Sequence, residues 1–309
     1  MKDTHNFLIT IVGPTAIGKT ALSILLANHF KSDVISCDSR QFFKEMSIGT
    51  AVPEKAELTA ANHHFIQNKS IFEDYNVGQF ERDTLKKLAE LFKENPVQIL
   101  VGGSGLYVDS VLIGLDEFPK VAPSIREALN LELTTNGLES LQNQLKKLDL
   151  ETYQKIAIDN PQRVIRALEI CIGSGLPYST FKNKPKAPRN FTSIKIGLEA
   201  ERSLIYDRIN LRVNHMMENG LLEEAKTLHS HKHLNALQTV GYRELFSFFD
   251  GEFTKEFAIS EIKKNTRRFA KRQLTWFKRD KETLWFDSQT GIDKIISVIS
   301  EKMNTFNEK

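Results

Sequence analysis

Residues Gly13-Pro14-Thr15-Ala16-Ile17-Gly18-Lys19-Thr20 have the spacing G-x-x-x-x-G-K-[ST], the pattern of a loop that wraps a phosphate in backbone N–H groups. Gly13 and Gly18 allow backbone angles that other residues reach only with strain. Lys19 brings a mobile point charge, and Thr20 a hydroxyl that suits Mg2+. A second set is Cys37-Asp38-Ser39-Arg40-Gln41. The Asp38 carboxylate can take a proton from a nucleophile, bind magnesium through water, or cap a helix. A third is Gly102-Gly103-Ser104-Gly105, with one hydroxyl among glycines. Arg208 and Arg212 stand four apart, hence on one helix face. They suit an anion clamp or surface ion pairs with Asp207 or Glu218. Together these residues point to a polyphosphate and leave open whether it is transferred or departs.

The elements around them place the three loops together. Apolar runs predict strands at Phe7–Val12, Asp33–Ser36 and Val97–Val101. Helices are expected at Lys19–Phe30, at Val77–Asn95 and from Gly105 on. Alternating strands and helices imply a parallel sheet, whose ligands bind beyond the carboxyl ends of its strands. All three loops follow such ends. The predicted fold class is α/β: a P-loop NTPase-like parallel sheet core flanked by helices, with a helical insertion domain. Residues 1–118 and 191–309 form the core, and 119–190 the insertion, entered past Pro119 and Pro123 and left past Pro177, Pro185 and Pro188. Within it Leu138, Leu141, Leu145 and Leu148 recur at helical spacing. Ser193–Leu198 reads as a strand returning to the sheet. A long helix follows at Arg202–His229, with Leu204, Ile205, Ile209, Val213, Met216, Met217 and Leu221 as its buried stripe. A basic helix from Phe253 to Arg279 and a strand at Thr283–Asp287 close the chain.

The 309 residues suffice for a large core and two lobes, and 40% hydrophobic with 26% charged residues fits a globular protein. No run of about eighteen apolar residues is present, so no membrane span is expected. Met1–Asn6 lacks the apolar core of a signal peptide. Cys37 and Cys171 read as reduced thiols of a cytoplasmic protein. Net charge is only +3, yet nine basic residues and one acid lie between Ile262 and Lys281. A second basic stretch runs from Lys182 to Arg189. Such stretches suit a phosphate backbone, or are solvated faces. His229, His231 and His233 alternate without a completing cysteine or carboxylate cluster and read as a polar loop.

Seven segments, in order, resemble the bacterial tRNA dimethylallyltransferases. They are Gly13–Thr20, Asp38–Gln41, Ile48-Gly49-Thr50-Ala51, Val101–Tyr107, Gln162–Arg166, Val240–Arg243 and Arg272–Phe277. The resemblance covers nearly the whole chain, from Leu8 to Trp285. The resemblance implies alkyl transfer: the exocyclic amine of the adenosine 3′ of the anticodon attacks the allylic carbon of dimethylallyl diphosphate, and diphosphate leaves. The phosphate loop would hold that leaving group, although its motif alone carries an ATP-binding label.

What the resemblance implies for single residues is specific. Asp38 is similar to the family's general base, and the spacing Arg212-Val213-x-x-Met216 resembles its diphosphate arginine. Lys19, Thr20 with Mg2+, Ser104 and Arg212 complete the catalytic set. Ser104 stands where the family usually has threonine, Ile17 replaces a small polar residue, and Val52 stands where lysine is common. The tRNA anticodon stem-loop would be held by Asp38, Ser39, Arg40, Gln41, Ser104, Arg126, Gln162, Arg163, Val164, Ile165 and Arg166. It would also meet Gln238, Thr239, Val240, Gly241, Tyr242 and Arg243. The last group is Lys271, Arg272, Gln273, Leu274, Thr275, Trp276, Phe277 and Lys278. Without the resemblance, Gln162–Arg166 is an ordinary amphipathic turn and Trp276 and Phe277 are core aromatics. His63-His64 resembles a pair near the family's crevice, with a structural role equally open. A monomer is expected.

Three other functions share some of these features. A phosphotransferase has the same loop, but the strand Ile99-Leu100-Val101 ends in glycines, not in the acid an ATPase sets near its magnesium. Prenyl transfer to free nucleotides needs neither insertion nor basic helix. A non-catalytic RNA-binding module needs no intact phosphate loop.

Overall fold

The computed structural model describes residues 5–307. In chain order its elements begin with β1 (Phe7–Val12), α1 (Lys19–Phe30), β2 (Val34–Ser36), α2 (Lys55–Ala60), β3 (His63–His64), α3 (Val77–Leu91), β4 (Val97–Val101) and α4 (Gly105–Leu112). There follow α5 (Pro123–Leu148), α6 (Leu150–Lys155), α7 (Pro161–Ser174), β5 (Thr192–Glu199), α8 (Arg202–Glu218) and α9 (Leu221–Leu228). The last are α10 (Tyr242–Phe249), α11 (Lys255–Phe277), β6 (Leu284–Asp287) and α12 (Ile292–Asn307). Two compact units result: the residues up to Ile113 together with those from Arg189 on, and Gly114–Pro188.

The larger unit is built on a six-stranded sheet of order β3-β2-β4-β1-β5-β6, parallel throughout. β1 lies between β4 and β5, with Ile9 facing Ile99 on one side and Ile194 on the other. Its side chains alternate between two cores: Phe7, Ile9 and Ile11 join one, Leu8 and Val12 the other. Burial on both faces explains why the strand reads as an apolar run interrupted only by Thr10. α1 begins where Gly18, at φ 104°, caps it and ends at Lys31, which turns left-handed at φ 53°.

Several elements differ from the sequence reading. The long helix expected over Arg202–His229 is two: Gly220, at φ 97°, ends α8 and starts α9. α3 stops at Leu91, short of Asn95. The edge strand β3 is two residues long, too short for any periodicity to mark it. The chain continues past β6 into α12, whose Ile295 and Ile299 are buried against the sheet.

In the smaller unit, α5 is broken at Gly137 (φ 76°) and packs with α7 around Leu129, Leu141, Leu145, Val164, Ile165 and Leu168. The buried Asp149 carboxylate accepts the Thr152 N–H at 2.9 Å and the Ser179 N–H at 2.7 Å. Burial alone would raise its pKa; these hydrogen bonds outweigh that and lower it. The basic stretch from Lys182 is partly committed to structure, since Lys182 and Lys186 both pair with Asp116, at 2.8 and 3.2 Å. In the larger unit Arg189 is likewise held by Glu81 at 2.7 Å.

Candidate active site

The loops after β1, β2 and β4 meet at the carboxyl edge of the sheet, where α8 and α11 complete a cleft of about 770 Å³. Gly13 sits at φ 145°, and a Cβ there would lie 2.7 Å from the Leu198 carbonyl oxygen. The glycine is therefore required by close approach as well as by angle. Ile17 is buried in the core under the loop, so its apolar side chain packs inward. Lys19 Nζ donates to the Gly13 and Pro14 carbonyls at 3.1 and 2.7 Å. Burial lowers its pKa to about 8, with Asp38 opposing that shift and Arg212 adding to it.

Arg212 reaches the loop from α8, its guanidinium donating to Thr15 Oγ1 at 3.3 Å. Burial lowers its pKa, and Asp38 and then Glu57 are the carboxylates that counter this. Arg208, one turn away, donates instead to the Ile17 carbonyl and Ser288 Oγ, both at 3.4 Å, outside the cleft. Among the described residues neither arginine forms an ion pair with Asp207 or Glu218. Asp38 is thus the acidic group nearest in effect to both cations.

Asp38 uses one carboxylate oxygen for structure: Oδ1 accepts the Arg40 N–H at 3.0 Å, fixing the turn after β2. Among the described residues Oδ2 has no protein partner. The turn is tied to the third loop by Ser104, whose Oγ accepts the Ser39 N–H and donates to Ser39 Oγ, both at 3.1 Å. Cys37 is a buried thiol whose pKa is pushed up, chiefly by burial and then by Asp38. Gly102 has no room for a Cβ, which would fall 2.5 Å from Cys37 Sγ. Arg40 is anchored by the Asn235 and Ala236 carbonyls at 2.9 and 3.0 Å. Gln41 donates to the Thr50 and Ala51 carbonyls at 3.3 and 2.9 Å and accepts from Ser36 Oγ at 3.3 Å.

The residues expected to meet RNA separate into different environments. Gln162 and Arg163 are exposed at the start of α7, where Asn160 caps the helix. Val164 and Ile165 are fully buried in the smaller unit, because the helical period turns them inward; their side chains are not available to a ligand. Arg126 and Arg166 converge on Glu169, at 3.3 and 3.2 Å. Gln238 and Arg243 are exposed, Thr239 and Val240 half-buried, and Tyr242 fully buried. On α11, Lys271, Arg272 and Thr275 are exposed on one face, with Lys278 just beyond the helix. Gln273 and Phe277 face inward and are buried, and Leu274 packs against the sheet core. Trp276 is half-buried, its indole N–H donating to Asp109 at 2.9 Å. Gln273, Leu274, Phe277 and Tyr242 are therefore interior residues, not an RNA-facing surface.

Other residues of the cleft wall had no site role in the sequence reading: Glu57, Tyr107, Met216 and Phe269. Phe269 had a legible signal, being one turn before Arg272 and Gln273 on the same helix. Glu57 had none, since only folding brings α2 toward Arg212. The imidazoles of His229 and His64 are paired with Asp250 and Asp33, at 2.9 and 2.7 Å, and no group of three or more metal-ligating His, Cys, Asp or Glu occurs among the described residues.

A family model described as IPP transferase matches residues 41–280. The chain belongs to the IPP transferase family. A relative named tRNA dimethylallyltransferase from Flavobacterium psychrophilum is 61% identical over 304 residues, covering 96% of this chain and 99% of that protein. One of the same name from Flavobacterium johnsoniae is 62% identical, covering 97% and 99%. Among solved structures, a full-length tRNA isopentenylpyrophosphate transferase from Bacillus halodurans is similar at 35% identity and a TM-score of 0.74, with 98% of each chain covered. The parallel sheet flanked by helices is therefore the architecture of an IPP transferase, and the cleft described above lies at its carboxyl edge.

Proposed function

We infer that this IPP transferase moves the dimethylallyl group of dimethylallyl diphosphate onto the exocyclic amine of the adenosine 3′ of the anticodon in tRNA. The observation that carries the assignment is a carboxylate, Asp38, that lines one cleft with two buried cations, Lys19 of the phosphate loop and Arg212 of α8. An adenine amine is a weak nucleophile, its lone pair being delocalised into the ring. As the new C–N bond forms, Asp38 takes the amine proton on Oδ2; the allylic C–O bond breaks and its electron pair leaves with diphosphate. A proton acceptor in place contributes roughly two to four orders of magnitude to such a step. Charge growing on the leaving oxygen is met by Lys19, Arg212 and the loop N–H groups.

The residues present fit a magnesium ion. Thr20 Oγ1 lines the cleft and has no protein partner among the described residues. Mg2+ suits hard oxygens and is commonly held by few protein ligands plus substrate phosphates, so Thr20 and the diphosphate oxygens would hold it. When bound, it neutralises part of the leaving group's charge.

For the RNA, we assign the exposed Lys271, Arg272, Thr275 and Lys278, with Arg243 and Gln238, to the phosphate backbone. Gln162 and Arg163 provide a further contact on the insertion. Extrusion of the target base is the general requirement for chemistry on a stacked base. The test is to incubate the protein with anticodon stem-loop RNA and either dimethylallyl diphosphate or ATP, then weigh the RNA. Mass gain by one five-carbon unit on adenosine is expected only with the former. Phosphate release from ATP without RNA modification would replace this reading with a phosphotransferase.

A further inference from the structure

Gln273 is polar yet almost fully buried, at 5% exposure, although it lies on the most basic helix. Its amide bridges two catalytic loops. Oε1 accepts the Thr15 N–H at 2.9 Å, and Nε2 donates to the Gly103 carbonyl at 2.9 Å. The fit is tight from the other side too, since a Cβ on Gly103 would overlap Gln273 Nε2. Thr15 is also the residue whose hydroxyl receives Arg212. The phosphate loop is thus held between α8 and α11 at a single residue.

We propose that Gln273 is a positioning residue that sets the distance between the diphosphate loop and the Gly102–Gly105 loop, and that it withholds the Thr15 N–H from the diphosphate. An amide is the side chain this requires, because one end must accept and the other must donate. The two loops carry different parts of the reaction: one grips the leaving group, and the other, through Ser104 and Ser39, carries the turn of Asp38. Their separation decides whether base and leaving group face the same substrate. This inference rests on the prenyl-transfer reading above.

The experiment compares full-length wild type with Gln273→Met, which keeps the volume and removes both hydrogen bonds. Steady-state assays on anticodon stem-loop RNA should show KM for dimethylallyl diphosphate raised roughly tenfold, with KM for RNA changed less than about twofold. A merely structural role would instead lower kcat through a smaller active fraction and leave both KM values alone, which overturns the proposal. A rise confined to the RNA KM would make Gln273 an RNA contact and also overturns it. A second measurement needs no variant. On adding inorganic pyrophosphate to 15N-labelled wild type, the Thr15 amide resonance should move less than those of Gly18, Lys19 and Thr20. An equal shift at Thr15 refutes the withheld amide. Absence of prenylated RNA with wild type would remove the parent reading, while the pyrophosphate titration still judges Gln273.

Discussion

The phenol of Tyr242 and the carboxylate of Glu224 meet at 2.7 Å beneath the loop that flanks the cleft. Glu224 also receives the N–H groups of Ser47, Ile48 and Gly49 at 2.9, 2.8 and 2.9 Å. A Cβ on Gly49 would lie 2.6 Å from the Tyr242 ring. This loop supplies the Thr50 and Ala51 carbonyls that orient Gln41, so the fully buried tyrosine acts on the cleft at second hand. Removing its hydroxyl deprives a carboxylate of one donor. Tyr242→Phe should cost about 1.5–3 kcal/mol, and Glu224→Ala more, because three N–H groups lose their acceptor. Urea denaturation of the two variants measures both.

Asp38→Asn keeps the oxygen that accepts the Arg40 N–H and removes the proton acceptor. Turnover should fall by roughly 10²–10⁴, while RNA affinity by filter binding stays near that of wild type. Undiminished turnover would take Asp38 out of the mechanism.

Arg212→Ala should weaken pyrophosphate binding by about 10–100-fold, the value of a charge-assisted hydrogen bond in a sheltered site. Titration calorimetry with pyrophosphate and with stem-loop RNA separates the two ligands. Loss of RNA affinity alone would reassign the side chain.

Lys19 gives a pH dependence of defined sign. Its pKa is about 8 in the folded protein, against 10.5 for the free side chain. Between those values the native state holds fewer protons than the unfolded one, so this group's contribution to stability rises with pH. Pyrophosphate binding runs the other way, because the anion needs the protonated amine. Affinity should decline from pH 7 to 9.5 in wild type, and the part of that decline due to Lys19 should vanish in Lys19→Met.

The exposed basic face of α11 should announce itself in salt dependence. Replacing Lys271 and Arg272 together by alanine should reduce the slope of log K against log salt for RNA by about one unit per charge. An unchanged slope would make these residues a solvated face.

Local chemistry made some of this legible in sequence. The phosphate loop, β1 and α1 were readable to the residue because glycines, an apolar run and a helical stripe punctuate one another. The α8–α9 break was less so, since a glycine between two helical patterns does not say whether the helix tolerates it. α12 carried a signal in Ile292, Ile295, Ile296 and Ile299, spaced for one buried helical face. On α11 the sequence showed a dense basic run but not its inward face. Gln273 binds partners 258 and 170 positions away, and no local pattern encodes such pairs. Val164 and Ile165 show the reverse case: they stand in a segment expected to meet RNA, yet the helical period sends them into a core.

The position of β1 in the sheet also dictates an order of events during synthesis. This strand leaves the ribosome before either neighbour: β4 begins at Val97 and β5 at Thr192. One edge of β1 can pair once β4 is made, but the other stays open until Thr192 and beyond have been added, and closing a loop of that length before any reward is slow. Refolding should therefore be governed by capture of β5, and a nascent chain halted before Thr192 would present an open strand edge to its neighbours on a polysome.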